Sequence, residues 1–323
     1  MSHHCRRPLR RGRICCTFDP SPRGVIAAED REENRAMSFT VTPLSPAIGA
    51  RIDGLDISRK LPPATAKALY AAWLEHVVLH FPGQDLDANQ QKDFARNFGR
   101  LAERARDART RPEGADYDSN VMLVSNVRDE KGQPIGSLPD GEMWFHHDTS
   151  YVPEPQKGTF LYGIDIPSTG GNTLFASMYA AYENVPAALR RRLAGRRVLH
   201  VYDYTLTQRL DPDGDLSGVK HQWQPLFVHN PESGRVALYA NRLMAARIEG
   251  LDRADSDAVL EELFAIAEDR SIVYEHVWTP GDLVMWDNRC STHARTDFPA
   301  SERRLLRRCT IEGAKLEAAA EAA

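Results

Sequence analysis

The apolar residues of the chain follow a helical spacing in a few segments and a strand spacing in many others. Residues 64–76 have apolar positions three and four apart behind two prolines, which predicts a helix. The next segment, VVLHF, predicts a buried strand that ends at Pro82. Residues 87–99 predict a second helix, closed by Gly99.

Short strands dominate the chain beyond Val121, and few helical segments interrupt them. Residues 177–195 predict a pair of helices broken at Pro186, and residues 254–269 predict one helix with an acidic cap. Many short strands with glycine-rich turns and a few peripheral helices are typical of a jelly roll. We therefore expect a mostly β member of the α+β class, with one jelly-roll domain over residues 37–316.

The two ends of the chain differ from this domain. Residues 1–36 contain five arginines before the first acidic residue, and they have neither helical nor strand periodicity. We interpret them as a disordered leader or an over-extended start, with an organellar transit peptide as the alternative. Residues 317–323 are expected to form a disordered tail. Inside the domain, the polar residues 102–120 predict a surface loop that could act as a lid.

Length, charge and cysteine content limit the classes of protein to which the chain can belong. The 323 residues, 42% hydrophobic and 27% charged, describe an ordinary soluble globular protein. A formal net charge of −4 gives no basic footprint for nucleic acid, and no apolar run is long enough for a membrane helix. Five cysteines without a CxxC pair indicate a reducing compartment, so we expect a cytoplasmic protein.

The stretch GEMWFHHDTSY carries the candidate metal chemistry. If it is a strand, His146 and Asp148 share one face while His147 points to the other. An imidazole and a carboxylate so placed can hold one cation, and His293 is the natural third ligand. Two histidines and one carboxylate with open positions are the arrangement of a non-haem Fe(II) oxygenase. The His-x-Asp pair alone is weak evidence, because a surface or capping pair has the same sequence.

Two arginines after His293 predict an anion site inside the barrel. In the strand RRLLRRCTI, a period of two puts Arg304 and Arg308 on one face. A buried guanidinium is costly without an anionic partner, and its planar fork suits a carboxylate or a sulfonate. If this face lines the barrel, the two arginines predict two anionic ligands near the metal. Internal acidic partners are the alternative.

From about Met37 to Gly313 the chain resembles the taurine dioxygenase / 2,4-dichlorophenoxyacetate dioxygenase family of Fe(II)- and 2-oxoglutarate-dependent oxygenases. The segments that carry the resemblance lie in order along the chain: IGARIDGLD, WFHHD, PSTGGNTLFASMYAAYENVP, GDLVMWDNRCSTH and RRLLRRCTI. The resemblance implies a cupin-like double-stranded β-helix with Fe(II) on His146, Asp148 and His293. It also implies hydroxylation with oxygen and 2-oxoglutarate, release of succinate and carbon dioxide, and a homo-oligomer, either a dimer or a tetramer.

The resemblance implies further roles around the iron. Thr173 and Arg304 match the pair that binds the distal carboxylate of 2-oxoglutarate, and Arg308 would bind the acidic group of the prime substrate. Trp286 matches a tryptophan in the wall of the site, although a core role serves equally well. Glu142 lies where the taurine enzyme has an amide residue near its substrate. We therefore expect another small organic anion as substrate: a carboxylate, an aryloxyalkanoate, a sulfonate or a sulfate ester, with C–O or C–S cleavage where the attacked carbon bears oxygen or sulfur.

Two other functions remain open. A cupin-like protein could bind a metal or an anion without turnover, and a zinc hydrolase could use the same three ligands. Thr173 and Arg304 favour the oxygenase, because a protein that only binds needs no co-substrate site. Two buried arginines and no evident general base disfavour the hydrolase. His147 is expected to support the site or to face solvent, and no direct role is expected for His76, His80, His200 and His276.

Overall fold

The structure of the protein is a computed structural model that describes residues 38–104, 112, 118–138, 141–204 and 210–320. All of these residues belong to one unit of the chain, residues 36–323. The predicted leader, residues 1–36, lies outside the described residues, as does most of the predicted loop 102–120. Both assignments therefore stay predictions.

Short strands make up most of the regular structure, with a small number of helices between them. Helices α1 to α5 span Pro63–His76, Ala88–Ala95, Met178–Asn184, Ala187–Leu193 and Arg253–Ala267. Strands β1 to β17 span Thr40–Pro43, Ala50–Asp53, Val78–Phe81, Val121–Ser125, Met143–His146, Gly158–Asp165, Thr173–Ser177, Arg197–Val201, His221–Pro225, Phe227–His229, Val236–Leu238, Ala245–Ile248, Val273–His276, Leu283–Asp287, Ser291–Arg295, Leu305–Ile311 and Glu317–Ala318.

The helices lie where the sequence predicts them, except that α2 ends earlier. Asp87 caps its first turn by accepting hydrogen bonds from the backbone N–H groups of Asn89 and Gln90. The predicted end was Gly99, but the amide of Asn97 donates to the carbonyl of Phe94, which competes with continued helical pairing. Among the described residues, no helix is both long and apolar enough to span a bilayer.

Two facing sheets form the barrel. The larger sheet has seven strands in the order β1-β2-β3-β14-β6-β16-β4, and the smaller has four in the order β13-β7-β15-β5. The ring of Phe175 in β7 lies 5.2 Å from the ring of Trp286 in β14, so the inner faces of the two sheets meet. This arrangement confirms the predicted double-stranded β-helix.

Strand β14 shows why the larger sheet is apolar on both faces. Val284 and Trp286 join the cluster inside the barrel, whereas Leu283 and Met285 join a second cluster that also contains residues of α1 and α2. Alternate side chains therefore belong to different cores, which explains the unbroken apolar run LVMW. The inner side chains are fixed from behind by a packed helical layer, and this rigidity supports the site in the barrel.

The end of the described chain differs from the predicted disordered tail. Residues 317 and 318 form β17, which pairs antiparallel with β10 so that Ala318 lies opposite Val228. Leu316 is buried in a small cluster with Val228 and Tyr239. This apolar side chain anchors the segment, and Glu317 and Ala318 after it complete a sheet edge.

We expect Phe160→Ala to lower the free energy of unfolding by about 3–5 kcal/mol, because the ring is fully buried in the cluster beneath the helices. Ile164→Ala on the same strand is the control, since 38% of Ile164 is exposed and surface changes cost about 0.5 kcal/mol. Equilibrium denaturation followed by circular dichroism measures both values. Equal losses would contradict this assignment of the core.

Candidate active site

Three side chains named from the sequence converge at one end of the smaller sheet. His146 is the last residue of β5, Asp148 follows two residues later, and the register of β15 places His293 opposite His146. The two imidazole rings lie 4.2 Å apart between centroids. One ligand atom from each of the three residues lies within 4.8 Å of the others. The predicted set is therefore brought together, with His146 and Asp148 buried and His293 partly buried.

His147 points away from this group, although β5 ends at His146 and Asp148 lies in the turn that follows. Its ring stacks on Tyr239 at 4.1 Å between centroids, and the amide nitrogen of Asn241 lies 3.0 Å from its Nδ1. The residue is completely buried, so the expectation that it could face solvent is wrong. His147 packs behind the turn that carries Asp148.

Burial and charge put the three residues in the protonation states that a divalent metal requires. Burial lowers the pKa of His146 and places that of His293 well below its usual range, so both imidazoles are neutral. The Nδ1 of His146 donates to the carbonyl of Trp144 at 2.9 Å, which leaves Nε2 with the lone pair. Burial raises the pKa of Asp148, but the charge of Arg308 and the hydrogen bond from Thr159 oppose it, and the pKa is lowered to about 2. Two neutral imidazoles and one carboxylate fit Fe(II).

A chain of hydrogen bonds holds Asp148 from behind. Thr159 in β6 donates its hydroxyl to Oδ2 of Asp148 at 2.7 Å and accepts from the amide of Asn288 at 3.0 Å. The indole of Trp286 donates to the amide oxygen of Asn288 at 2.8 Å. Sequence reasoning missed Thr159 and Asn288. The signal was present, since each is a polar residue at the end of an apolar strand, yet nothing in the sequence says which partner such a residue meets.

Trp286 is both a core residue and a wall of this site. The residue is 1% exposed, and its ring lies 4.7 Å from that of His293. The two alternatives left open by the sequence are therefore compatible. The resemblance also makes Trp286 a candidate cofactor-binding residue, and that role stays a prediction.

Arg304 is a buried cation with one unpaired end. Its Nε and Nη2 donate to the carbonyl of Gly171 at 3.3 and 3.1 Å, while Nη1 is buried without a hydrogen-bond partner in the part of the chain that the structure describes. Burial, and then the nearby charge of Arg295, lower the pKa of Arg304 to about 9. A Cβ on Gly171 would lie 3.0 Å from Nε, so the close approach needs glycine. The buried guanidinium of Arg304 therefore lacks an anionic partner in the described part of the chain. A carboxylate would supply that partner.

Arg308 has a different partner from the one that the sequence suggested. Its Nη2 lies 3.0 Å from Oδ1 of Asp148, so the internal acidic alternative describes this arginine correctly. The acid is itself a candidate metal ligand, which the spacing along the chain could not reveal. Nε of Arg308 is buried and has no hydrogen-bond partner among the described side chains and backbone. One donor therefore remains for an anion.

The other two predicted residues lie in contrasting places. Thr173 begins β7, is 4% exposed, and accepts a hydrogen bond from the indole of Trp278 at 3.0 Å. Glu142 is exposed before β5 and accepts from the indole of Trp144 at 3.2 Å. These contacts give no support to the predicted substrate role of Glu142.

A second buried group of the same composition lies at β3, β13 and the turn before β14. Nε2 of His80 is 2.9 Å from Oδ1 of Asp282, and Nε2 of His276 is 3.4 Å from Oδ2. The backbone N–H of Thr279 also donates to Oδ2 of Asp282. Both carboxylate oxygens thus have protein partners, and no unpaired arginine is found among the described contacts of this group. The first group is the better candidate for a metal that works with an anionic co-substrate.

Comparison with known proteins gives a consistent picture. Residues 40–310 match the sequence model of a family described as "Taurine catabolism dioxygenase TauD, TfdA family". The chain is similar to pentalenolactone F synthase of Streptomyces avermitilis, with 36% identity over 85% of this chain and 94% of the relative. It is also similar to the (S)-phenoxypropionate/alpha-ketoglutarate-dioxygenase of Sphingobium herbicidovorans, with 34% identity over 85% and 96%. A crystal structure of AAD-2 in complex with Mn(II) and N-oxalylglycine superposes with a TM-score of 0.70 and 28% identity, covering 87% of this chain and 99% of that one.

We expect Thr159→Val to weaken metal binding about tenfold to a hundredfold, because the carboxylate of Asp148 loses the hydroxyl that orients it. Thr292→Val is the matched control: Thr292 is equally buried, but its hydroxyl faces the sulfur of Met178. Anaerobic equilibrium dialysis with Fe(II) or Mn(II) measures both affinities. Equal affinities for the two variants would show that the hydrogen bond does not orient a metal ligand.

Proposed function

Because the chain belongs to the taurine catabolism dioxygenase TauD, TfdA family, we propose that His146, Asp148 and His293 hold its Fe(II) and that its prime substrate is a small organic anion. The single observation that carries the proposal is the convergence of these three ligands in a barrel that also buries an unpaired arginine donor. The enzyme is an Fe(II)- and 2-oxoglutarate-dependent dioxygenase. Bound iron, with oxygen and 2-oxoglutarate, supplies an oxidation that turns C–H into C–OH while succinate and carbon dioxide form.

The residues around the iron orient and enclose the reactants. Arg304 and Thr173 bind the distal carboxylate of 2-oxoglutarate. Nη1 of Arg304 is buried and unpaired, and Nη2 contacts the carbonyl of Gly171, which is only two residues before Thr173. Charge-assisted hydrogen bonds of this kind fix both the position and the direction of a carboxylate. Arg308 neutralises Asp148 and offers its remaining N–H to the acidic group of the prime substrate.

The body of the substrate is apolar or aromatic. The ring of Tyr204 lies 6.3 Å from that of His146, and Tyr202 and Tyr151 extend this group at 5.1 and 4.7 Å between successive ring centroids. Met143, Leu243 and Met244 belong to the same small cluster. Such a wall suits an aryloxyalkanoate or a related carboxylate better than a small polar sulfonate. Hydroxylation of a carbon that bears an ether oxygen gives a hemiacetal, which separates into a carbonyl compound and an alcohol.

We also propose a cytoplasmic homo-oligomer, a dimer or a tetramer. The described cysteines, Cys290 and Cys309, are free and buried, which agrees with a reducing compartment. Light scattering coupled to size-exclusion chromatography gives the number of chains, and a monomer at micromolar concentration would contradict the proposal.

Arg304→Ala should raise the KM for 2-oxoglutarate by more than about tenfold, because it removes the buried cation that faces the distal carboxylate. Arg303→Ala is the matched control, since Arg303 is adjacent in sequence but its guanidinium is exposed and paired with Asp165. The rate of succinate formation measures this KM. The prime substrate is taken from a panel of aryloxyalkanoates, other carboxylates, sulfonates and sulfate esters. An iron-loaded, folded protein that forms no succinate with any member of the panel would overturn the proposed function.

Arg308→Ala should abolish the stimulation of 2-oxoglutarate turnover by the prime substrate, while slow substrate-independent turnover and metal content persist. The reason is that this arginine offers a buried N–H to the substrate acid, whereas the metal compensates the charge of Asp148 once its ion pair is lost. Oxygen consumption with and without substrate measures the stimulation. Full stimulation in the variant would exclude Arg308 as the anion-binding residue.

A further inference from the structure

Trp278 contacts the candidate co-substrate site through one polar atom. Its indole Nε1 donates to the hydroxyl oxygen of Thr173 at 3.0 Å, and both residues are about 5% exposed or less. Strand pairing produces this contact: β13 lies next to β7 with His276 opposite Thr173, and Trp278 follows two residues after His276. Neither the spacing along the sequence nor the family relationship gave Trp278 a part in the site.

The direction of this hydrogen bond determines what Thr173 can do. An indole N–H only donates, so the threonine oxygen must accept and its own hydrogen must point elsewhere. Trp278 is the only side-chain partner of this hydroxyl within the described ranges. Accepting one hydrogen bond also polarises the hydroxyl and strengthens the bond that it donates. The hydroxyl is thereby prepared to donate to an acceptor on the barrel side, such as a carboxylate.

The ring of Trp278 is held in a fixed orientation from two sides. On one side it meets His276 edge to face, with centroids 4.6 Å apart, and His276 is itself held by the hydroxyl of Tyr274 and by Asp282. On the other side a Cβ on Gly163 would lie 3.3 Å from Cε3 of Trp278, so the ring occupies space that a side chain would need. One member of the second His-His-Asp group, His276, thus packs directly against the ring whose N–H faces Thr173.

We infer that Trp278 is a positioning residue that fixes the Thr173 hydroxyl as a donor to the distal carboxylate of 2-oxoglutarate. The inference rests on the proposed function, because it assumes that this carboxylate binds at Thr173 and Arg304. The competing explanation is that Thr173 only satisfies a buried indole N–H. The two explanations differ in one measurable respect: a positioning residue acts on the distal carboxylate alone and only while Thr173 has a hydroxyl.

The test uses Trp278→Phe, which keeps an aromatic ring and removes the N–H, together with Thr173→Val and the double variant. Binding of 2-oxoglutarate to the full-length Mn(II)-loaded protein is measured by calorimetry without oxygen. A parallel titration uses 2-oxopentanoate, which has the same carbon chain and keto acid but lacks the distal carboxylate. Trp223→Phe is the control, because Trp223 lies in β9 beneath Arg197 and has no place in the site.

We expect Trp278→Phe to weaken 2-oxoglutarate binding about five- to tenfold, as for the loss of one hydrogen bond, and to leave 2-oxopentanoate binding unchanged. The same substitution should have no further effect in the Thr173→Val background. In turnover, the KM for 2-oxoglutarate should rise while kcat and the KM for the prime substrate stay the same. Equal weakening of both keto acids, or additive effects in the double variant, would overturn the inference in favour of a purely structural tryptophan.

Two outcomes separate this inference from the proposed function. If the unmodified protein binds no 2-oxoglutarate, the proposed function fails; if it binds and Trp278→Phe binds equally well, only the inference fails. Should Trp278→Phe not fold, protein labelled with 15N in its indole groups gives the answer. The indole signal that changes in Thr173→Val is assigned to Trp278, because its N–H loses the threonine hydroxyl. In the unmodified protein, 2-oxoglutarate should shift that signal and 2-oxopentanoate should not. Equal shifts with both ligands would contradict the inference.

Discussion

The cost of burying charge inside an apolar barrel governs the arrangement of this protein. Asp148, Arg304 and Arg308 are partly or completely removed from water, and isolated charges in such surroundings would be strongly destabilising. Asp148 and Arg308 neutralise each other at 3.0 Å, whereas the guanidinium of Arg304 contacts the carbonyl of Gly171 and the ring of Phe298 and has no acidic partner among the described residues. Arg304 therefore remains a buried cation without a compensating acid in the described part of the chain. The distal carboxylate of 2-oxoglutarate would give Arg304 the anionic partner that it lacks, in keeping with the proposed function.

The fold can maintain this arrangement because the larger sheet is packed on both faces. Inner side chains such as Trp286 are supported from behind by the layer beneath the helices, and they in turn support His293 and the hydrogen-bonded chain that ends on Asp148. Precise placement of ligands and of co-substrate is the main contribution that the protein makes, since the oxidation itself belongs to the iron chemistry. The same logic explains why residues distant from the metal, including Trp278, bear on the site.

Local patterns predicted most of the elements and the residues that converge at the candidate site. The apolar spacing predicted α1 and the pair α3 and α4, the His-x-Asp pair and His293 predicted three residues that the structure brings together, and a period of two placed Arg304 and Arg308 on one face of a strand. Contacts between distant strands could not be predicted in this way. The pairing of Arg308 with Asp148 and the support of Asp148 by Thr159 depend on the register of β16 and β6, which no local pattern encodes. The early end of α2 and the pairing of β17 were also missed. Each depends on one side chain: Asn97 hydrogen-bonds to the carbonyl of Phe94, and Leu316 is buried in a small cluster.

The central claim is that three residues and one buried arginine form a single centre for Fe(II) and 2-oxoglutarate. The most direct test is a visible absorption titration of the anaerobic Fe(II)-loaded protein with 2-oxoglutarate. The account predicts a weak charge-transfer band that saturates at one equivalent per chain and is absent from His293→Ala. A folded, iron-loaded protein that shows no band, or a His293→Ala variant that keeps it, would contradict the account.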